Sequence, residues 1–145
     1  MNDFYLKYSY LINPIFASTI CGIIVGIERE WKGKPAGIRS NVLICVGCAV
    51  FTLISMKASG SNQYDPTRII AQIVTGIGFL GGGVILKNDD RIIGITTAAF
   101  IWIISSMGVL CGLGLFWEPM ILTVGLVVVS ISLEYLELLI KELKK

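Results

Sequence analysis

The sequence predicts an all-α polytopic membrane protein that forms one domain over residues 1–145 and crosses the bilayer five times. Of its 145 residues, 54% are apolar and only 15% are charged. Soluble domains are closer to one-quarter charged, so the outer surface is expected to face lipid. Five apolar segments approach or reach the roughly 20 helical residues that a bilayer crossing needs. The predicted spans are residues 11–27, 41–58, 66–86, 92–116 and 119–139.

The basic residues indicate how these spans are oriented. Nine Lys and Arg side chains fall at one end of the spans and three at the other. Because Lys and Arg are enriched in cytoplasmic loops, we expect the N-terminus outside and the C-terminus in the cytoplasm. A cleavable signal peptide is disfavoured, since charged residues stand where its cleavage site would lie. The net charge of +2 is small and dispersed, and it indicates no nucleic-acid partner.

The first span ends in Glu28-Arg29-Glu30, a short charged sequence at the predicted membrane boundary. Gly22 and Gly26 precede it with GxxxG spacing, which allows two membrane helices to pack closely. Glu28 and Glu30 point about 200° apart on a helix and should not share a partner. Two interpretations remain open: a solvated helix end, and an ionic clamp or cation site at the cytoplasmic rim.

The loop of residues 31–40 is basic and is interrupted by Gly and Pro. Lys32, Lys34 and Arg39 can contact anionic lipid. Arg39 could also reach the carboxylates at the end of the first span and neutralise part of that rim. Asn41, or the serine before it, is a candidate N-cap for the second span.

The cysteines carry a weaker motif. Cys45 and Cys48 have the CxxC spacing of redox and zinc sites. All four cysteines lie in apolar segments, however, and the chain contains no histidine. We therefore interpret them as small apolar residues of membrane helices. The absence of histidine also excludes a Ser-His-Asp triad and histidine-based metal sites.

The third span begins with Asp65-Pro66, an N-cap residue followed by a proline in the first turn. Arg68 lies three residues after Asp65 and can pair with it, and Gln72 continues this polar stripe one turn deeper. A capped helix start with an Arg side chain extended to the interface explains these residues. A site where a cation docks from outside explains them equally well.

Glycines crowd residues 76–83 of the same span. Gly76 to Gly81 match the GxGxxG dinucleotide fingerprint, but no strand precedes them and the next acids come too soon. Gly78 and Gly82 have GxxxG spacing, which explains them without a nucleotide. We therefore expect this glycine run to be the packing centre of the bundle.

The fourth span follows a tight turn over residues 87–91, in which Asp89 and Asp90 are expected to act as caps. Gly108 and Gly112 form a third GxxxG pair. The fifth span becomes amphipathic over residues 133–145, with a leucine-rich stripe beside a charged one. This end is expected to leave the membrane and either lie on its surface or meet a partner.

Taken in order, these motifs closely resemble the MgtC/SapB family of membrane proteins over about residues 15–115. The matching blocks are Glu28-Arg29-Glu30, Pro35-Ala-Gly-Ile-Arg39-Ser-Asn41, Asp65-Pro-Thr-Arg68-Ile-Ile-Ala-Gln72, Gly76-Ile-Gly-Phe-Leu-Gly81 and Gly94-Ile-Thr-Thr-Ala-Ala99. The resemblance implies a multi-pass bacterial inner-membrane protein linked to magnesium limitation, acid stress and intracellular survival. For some members it implies restraint of the ATP synthase.

Two features distinguish this chain from other members of the family that it resembles. Longer members carry a soluble cytoplasmic domain after the last span, so the chain is expected to be a short form. Thr96 stands where some members have Asn, and Gly82 stands where Ala is common.

The candidate functional residues are charged, amide and hydroxyl side chains from these motifs, together with the glycines. The candidate metal ligands are Asp65, Glu28 and Glu30. The other polar candidates are Arg29, Arg39, Asn41, Arg68, Gln72, Arg91 and Thr96. The candidate helix-packing residues are Gly22, Gly26, Gly76, Gly78, Gly81, Gly82, Gly108 and Gly112. No catalytic residue and no cofactor is predicted, and Mg²⁺ is the one ion considered.

Two functions follow from these observations. The first is a non-enzymatic regulator of magnesium homeostasis and stress adaptation that binds another membrane complex, such as the ATP synthase. The alternative is a cation-binding or cation-transporting protein that uses Asp65, Gln72 and Glu28. An enzyme is disfavoured because no nucleophile-and-base arrangement is visible. A homodimer is expected in either case, since twofold dimers are the commonest oligomers and glycine-lined faces remain for a partner.

Overall fold

The computed structural model describes residues 2–58, 65, 67–88 and 91–144, with side chains of the first helix described from Lys7 onward. Predictions about Pro66, Asp89 and Asp90 lie outside the described residues. The helices are α1 (Asn2–Trp31), α2 (Ile38–Ala58), α3 (Thr67–Val84), α4 (Ile95–Gly112) and α5 (Trp117–Leu143). Two short strands, β1 (Leu86–Asn88) and β2 (Arg91–Ile93), connect α3 to α4.

All five helices are long and apolar enough to cross a membrane, which confirms the predicted number of candidate spans. Their boundaries differ from the prediction in both directions: α1, α2 and α5 extend past the predicted bounds, whereas α3 and α4 are shorter than the predicted spans 66–86 and 92–116. The helix α1 extends past the predicted span at both ends and includes Pro14. The helix α2 begins at Ile38 rather than at Asn41.

The connection between α3 and α4 corrects the purely helical prediction. Here β1 and β2 pair antiparallel, with Leu86 opposite Ile93. Residues 92 and 93 were expected in the fourth span but belong to this hairpin. The reason is Gly94, whose φ of 92° is a left-handed conformation that stops a helix from extending backwards into the strand. Gly94 also lies directly against the backbone of Val84, so a side chain would not fit there.

The most buried helix is α4, which contacts the other four, and α2 lies between the glycine pairs of α1 and α4. A Cβ added to Gly22 would be 2.5 Å from the Cα of Val42, and one added to Gly26 would overlap Ile38. On the other side, an added Cβ at Gly108 would overlap the carbonyl of Cys45, and one at Gly112 would lie 2.6 Å from the Ala49 carbonyl oxygen. Both glycine pairs therefore bring a neighbouring backbone against α2.

Small and apolar side chains fill the space between these three helices. The central core is Ala17, Cys21 and Val25 of α1, Cys45 and Ala49 of α2, and Phe100, Ile104, Met107 and Cys111 of α4. All four cysteines are free and buried in the apolar core. They occupy it as small apolar residues, in agreement with the interpretation from the sequence.

The glycine run of α3 does not lie at this centre, and the expectation that it would is wrong. Only Ile73, Ile77 and Gly81 of α3 are buried, and Gly81 approaches Ala98 of α4. An added Cβ at Gly76, Gly78, Gly82 or Gly83 would meet no described atom within 4 Å. Residues four apart share one face of a helix, so one apolar stripe of α3 packs against both α2 and α4. Gly76 borders a cavity between α2 and α3, whereas Gly78, Gly82 and Gly83 face outward.

The helix α5 packs on the outside of the bundle. Among its residues, Pro119 and Thr123 are the ones that are buried. Its 27 residues correspond to about 40 Å of helix, longer than a hydrocarbon core of about 30 Å. Residues 135–144 of α5 are all exposed, so this end of the helix projects beyond the packed bundle.

Candidate functional site

The last turn of α1 places two charged side chains inside the bundle. Glu28 is 4% exposed and Arg29 is 3% exposed, whereas Glu30 is exposed. Each helical residue is rotated by about 100° from the one before it, so Glu28 and Glu30 point in different directions. Buried charges in a membrane protein are costly unless they are paired, so the partners of Glu28 and Arg29 define the candidate site.

The Glu28 carboxylate connects α1 to α5. Its Oε1 is 2.6 Å from the Nζ of Lys32, and it accepts a hydrogen bond of 2.9 Å from the Ser130 hydroxyl. The same Nζ is 2.5 Å from Oε2 of Glu134. The other Glu28 oxygen, Oε2, is buried without a hydrogen-bond partner among the described residues. A single ammonium group thus bridges a buried carboxylate and a half-exposed one.

These contacts reinforce the charged form of the bridging lysine. Partial burial lowers the pKa of Lys32, but hydrogen bonds to Glu134 and Glu28 outweigh it and raise the pKa above its ordinary value. The ammonium form is therefore favoured at every physiological pH.

Arg29 connects α1 to α4. Its Nη2 donates a hydrogen bond of 2.7 Å to the Thr97 hydroxyl, and its guanidinium lies 4.5 Å from the ring centre of Phe100. Stacking on an aromatic ring stabilises a guanidinium that has left water. Glu28, Arg29, Lys32, Thr97, Ser130 and Glu134 together are called the charge cluster below.

The loop between α1 and α2 is held by two further candidates. The Asn41 side chain is fully buried, and its Nδ2 donates hydrogen bonds of 2.5 Å and 2.9 Å to the carbonyls of Ala36 and Gly37. It does not cap α2, because the helix starts three residues earlier. Glu30 is closer to that role, since its Oε2 accepts a hydrogen bond of 3.1 Å from the backbone N–H of Ile38.

The prediction that Arg39 contacts the carboxylates of α1 is wrong. Arg39 is exposed and forms no ion pair among the described residues. Lys32 and the Ile38 backbone already occupy the carboxylates of Glu28 and Glu30.

Asp65 lies at the other end of the bundle. Its carboxylate accepts hydrogen bonds of 2.9 Å from the Thr67 backbone N–H and 2.8 Å from the Thr67 hydroxyl. These bonds, the backbone one first, hold the pKa of Asp65 below its ordinary value. This is the geometry expected of an N-cap. Arg68 and Gln72 are exposed, and Arg68 forms no ion pair with Asp65 in the described part of the chain.

The three candidate metal ligands are therefore not gathered into one site. The 18 residues of α3 separate the two ends of the bundle by about 27 Å, which keeps Asp65 far from Glu28 and Glu30. Within residues 7–58, 65, 67–88 and 91–144, no group of three or more His, Cys, Asp or Glu side chains is arranged to hold a metal ion.

Comparison with known proteins shows which family this arrangement belongs to. Residues 15–139 match the family model described as MgtC family. The chain belongs to the MgtC family. No solved structure matches it.

Several curated proteins are similar to most of this chain. It is 41% identical over 133 residues to Protein MgtC of Salmonella typhimurium, covering 92% of this chain and 56% of that protein. It is 42% identical over 111 residues to Protein MgtC of Brucella abortus, covering 77% and 46%. An uncharacterized Synechocystis protein is 44% identical over 114 residues, covering 79% and 48%. The chain spans about half the length of these curated relatives.

In this MgtC-family chain, sequence reasoning found part of the charge cluster and missed the rest. Arg29 and Glu28 were singled out, but Thr96 is exposed and its neighbour Thr97 is the residue that bonds Arg29. Arg91 is also exposed, in the hairpin. Lys32 was expected to contact lipid rather than to bridge two helices.

Ser130 and Glu134 were not candidates. Ser130 lies 102 positions from Glu28 in the sequence, and Glu134 lies farther still. No local sequence pattern predicts a contact at that separation. The one available signal is that Glu134 shares a face of α5 with Ser130, four residues earlier. The charge cluster contains two cations and two carboxylates, so it can hold α1, α4 and α5 together as a neutral network.

Proposed function

We propose that this MgtC-family chain is a non-enzymatic, multi-pass protein of the bacterial inner membrane that contributes to magnesium homeostasis and stress adaptation. It acts by binding another membrane complex, and the ATP synthase is the candidate. The distribution of Lys and Arg supports an external N-terminus and a cytoplasmic C-terminus. The observation that carries the proposal is the projecting end of α5.

This projecting end presents apolar side chains that nothing in the described chain covers. Every residue from Tyr135 to Lys144 is exposed. Leu136, Ile140 and Leu143 follow one another at helical spacing on one stripe. Exposed apolar stripes on a helix commonly lie in the groove of a partner protein. A partner complex at the cytoplasmic surface would meet this stripe first.

Capture of the complex tests this proposal with a matched pair of variants. Leu136→Gln with Ile140→Gln alters the apolar stripe, whereas Glu137→Gln with Lys141→Gln alters the charged stripe of the same turns. After magnesium starvation, wild type and the charged-stripe variant are expected to retain ATP synthase through affinity purification. The apolar-stripe variant is expected to lose it. Retention of the ATP synthase by the apolar-stripe variant would contradict the proposal.

We further propose that two copies associate through the open face of α3. Gly78 and Gly82 have GxxxG spacing and face outward, so a second helix could approach closely there. Native mass spectrometry should show a dimer that is lost in Gly78→Ile with Gly82→Ile. Gly125→Ile is the control, because Gly125 on α5 is equally open. An unchanged dimer in the α3 variant would contradict this arrangement.

A second candidate function, cation binding or transport, is favoured by the buried Glu28 carboxylate, whose Oε2 has no partner among the described residues. Cation flux in proteoliposomes tests transport. Flux that falls in Glu28→Gln or in Asp65→Asn supports this function. Flux identical to wild type in both variants would exclude transport through these carboxylates.

A further inference from the structure

The contact between Lys32 and its two carboxylates has the form of a cation site filled by a side chain. One ammonium lies 2.6 Å from Glu28 Oε1 and 2.5 Å from Glu134 Oε2. The two carboxylates come from α1 and α5 and face one another across this single positive charge. Without it, two negative groups would lie close together with one of them buried, which is unfavourable.

The oxygen atoms around this ammonium are those that hard divalent cations prefer. Glu28 Oε2 is buried and has no partner among the described residues, so no described protein group uses its lone pairs. The Ser130 hydroxyl already contacts Glu28 Oε1 at 2.9 Å. Mg²⁺ is commonly held by one or two carboxylates together with water, so two carboxylates and a hydroxyl are sufficient.

An ion can reach this position from water. The side chain of Lys32 is 18% exposed and that of Glu134 is 45% exposed, whereas Glu28 is 4% exposed. The site is therefore open on the α5 side and closed on the α1 side. Lys32 carries its charge on a flexible four-carbon chain, so its ammonium can move into water when another cation replaces it.

We propose that Glu28 and Glu134 form a divalent-cation site and that Lys32 and the ion compete for it. When the ion is scarce, the lysine joins α1 to α5. When the ion is abundant, it takes the place of the ammonium and Lys32 moves to solvent. The exchange is favoured because two carboxylates attract a doubly charged ion more strongly than a singly charged ammonium. It is opposed by the free energy needed to remove part of the ion's hydration shell.

This inference rests on the cation-binding candidate function and is independent of any partner complex. It differs from the ligand set expected from the sequence, since Glu134 replaces Glu30 and Asp65. It also requires no transport, because binding alone is enough to release the lysine.

Acylation of lysine side chains in the wild-type protein tests the competition directly. Lys32 should react slowly without divalent ions, and millimolar Mg²⁺ should raise its rate about fivefold, the factor that a partly exposed ion pair can supply. Lys34, which is exposed and forms no ion pair among the described residues, is the internal control and should not respond. A Lys32 rate that does not change relative to Lys34 would overturn the proposal.

Binding of Mn²⁺, measured by electron paramagnetic resonance, tests the ligands. Lys32→Met removes the competing cation and should bind Mn²⁺ more tightly than wild type. Adding Glu134→Gln to that variant should abolish the increase in Mn²⁺ affinity, whereas adding Glu30→Gln should leave the increase unchanged. Mn²⁺ binding that is equal in all three variants would contradict the assignment. If ATP synthase capture and cation flux both fail while this pattern holds, partner binding and transport are wrong and the cation site remains.

Discussion

The glycines of α1 and α4 lie against the backbone of α2, whereas most glycines of α3 have no described neighbour within contact distance. In the sequence these regions look alike, since each contains a GxxxG pair within an apolar segment. The difference shows that this spacing identifies a helix face without bulk, and that it does not identify what covers the face. What covers a glycine face depends on which helix is its neighbour in the folded bundle.

The covered glycines and the open ones should respond in opposite ways to added side chains. Where a backbone lies in contact, a methyl group has no room and the neighbouring helix must move. Where the face is open, a methyl group adds helix propensity and little else.

Gly108→Ala should have the largest effect. Its Cβ would overlap the carbonyl of Cys45, and main-chain atoms cannot move aside as a flexible side chain can. We expect a loss of about 3 kcal/mol in the free energy of unfolding, the upper range for overpacking. Unfolding in mixed micelles measures it, with Gly125→Ala as the unobstructed control. Equal stability of the two variants would show that α4 does not pack so closely on α2.

Thr97→Val should be the next most damaging change. It keeps the shape of the side chain but removes the hydroxyl that accepts the bond from buried Arg29. An unpaired buried donor costs about 2 kcal/mol. Thr96→Val is the matched control, because Thr96 is exposed one position earlier and should change stability by less than about 0.5 kcal/mol. A larger loss of stability in the Thr96 variant would show that Arg29 depends on the Thr96 hydroxyl rather than on that of Thr97.

Gly76→Ala should stabilise the monomer slightly. An added Cβ there meets no described atom within 4 Å, and Ala is a better helix former than Gly by up to about 1 kcal/mol. The same unfolding assay, run on protein shown to be monomeric, should give a small positive change. Destabilisation comparable to that of Gly108→Ala would mean that α3 is covered within its own chain.

The smallest effect concerns the start of α3 and depends on pH. Since hydrogen bonds to Thr67 lower the pKa of Asp65 below its ordinary value of 3.8, capping is fully present above that value. It is lost as the pH falls through the lower, folded-state pKa. Hydrogen exchange at the Thr67 amide should therefore be slower in wild type than in Asp65→Ala near neutral pH, and the difference should shrink in acid. A difference that persists in strong acid would exclude the carboxylate as the cap.

Much of the fold could be predicted because it depends on local properties. Apolar length identified five helices, and the Asp65 capping signal lies within three residues of its partner. The hairpin before Gly94 was missed because apolar β-branched residues such as Ile92 suit a buried helix as well as a strand. A left-handed glycine became evident only in the structure.

The charge cluster could be predicted only in part for a similar reason. Glu28 and Arg29 are unusual where they stand, and local sequence is enough to notice them. Their partners Thr97, Ser130 and Glu134 are ordinary residues in their own helices, and they matter through long-range contact. The peripheral position of α3 was missed because glycine density reports the shape of one helix and contains no information about its neighbours.

The four buried thiols have a practical consequence. Cys21, Cys45, Cys48 and Cys111 all lie in the core, so a water-soluble alkylating reagent finds no accessible natural thiol while the chain is folded. A single cysteine introduced at an exposed position would therefore carry a probe alone, with no natural residue replaced. Once the helices separate, the natural thiols become reactive together, and their labelling would record the loss of the packed bundle.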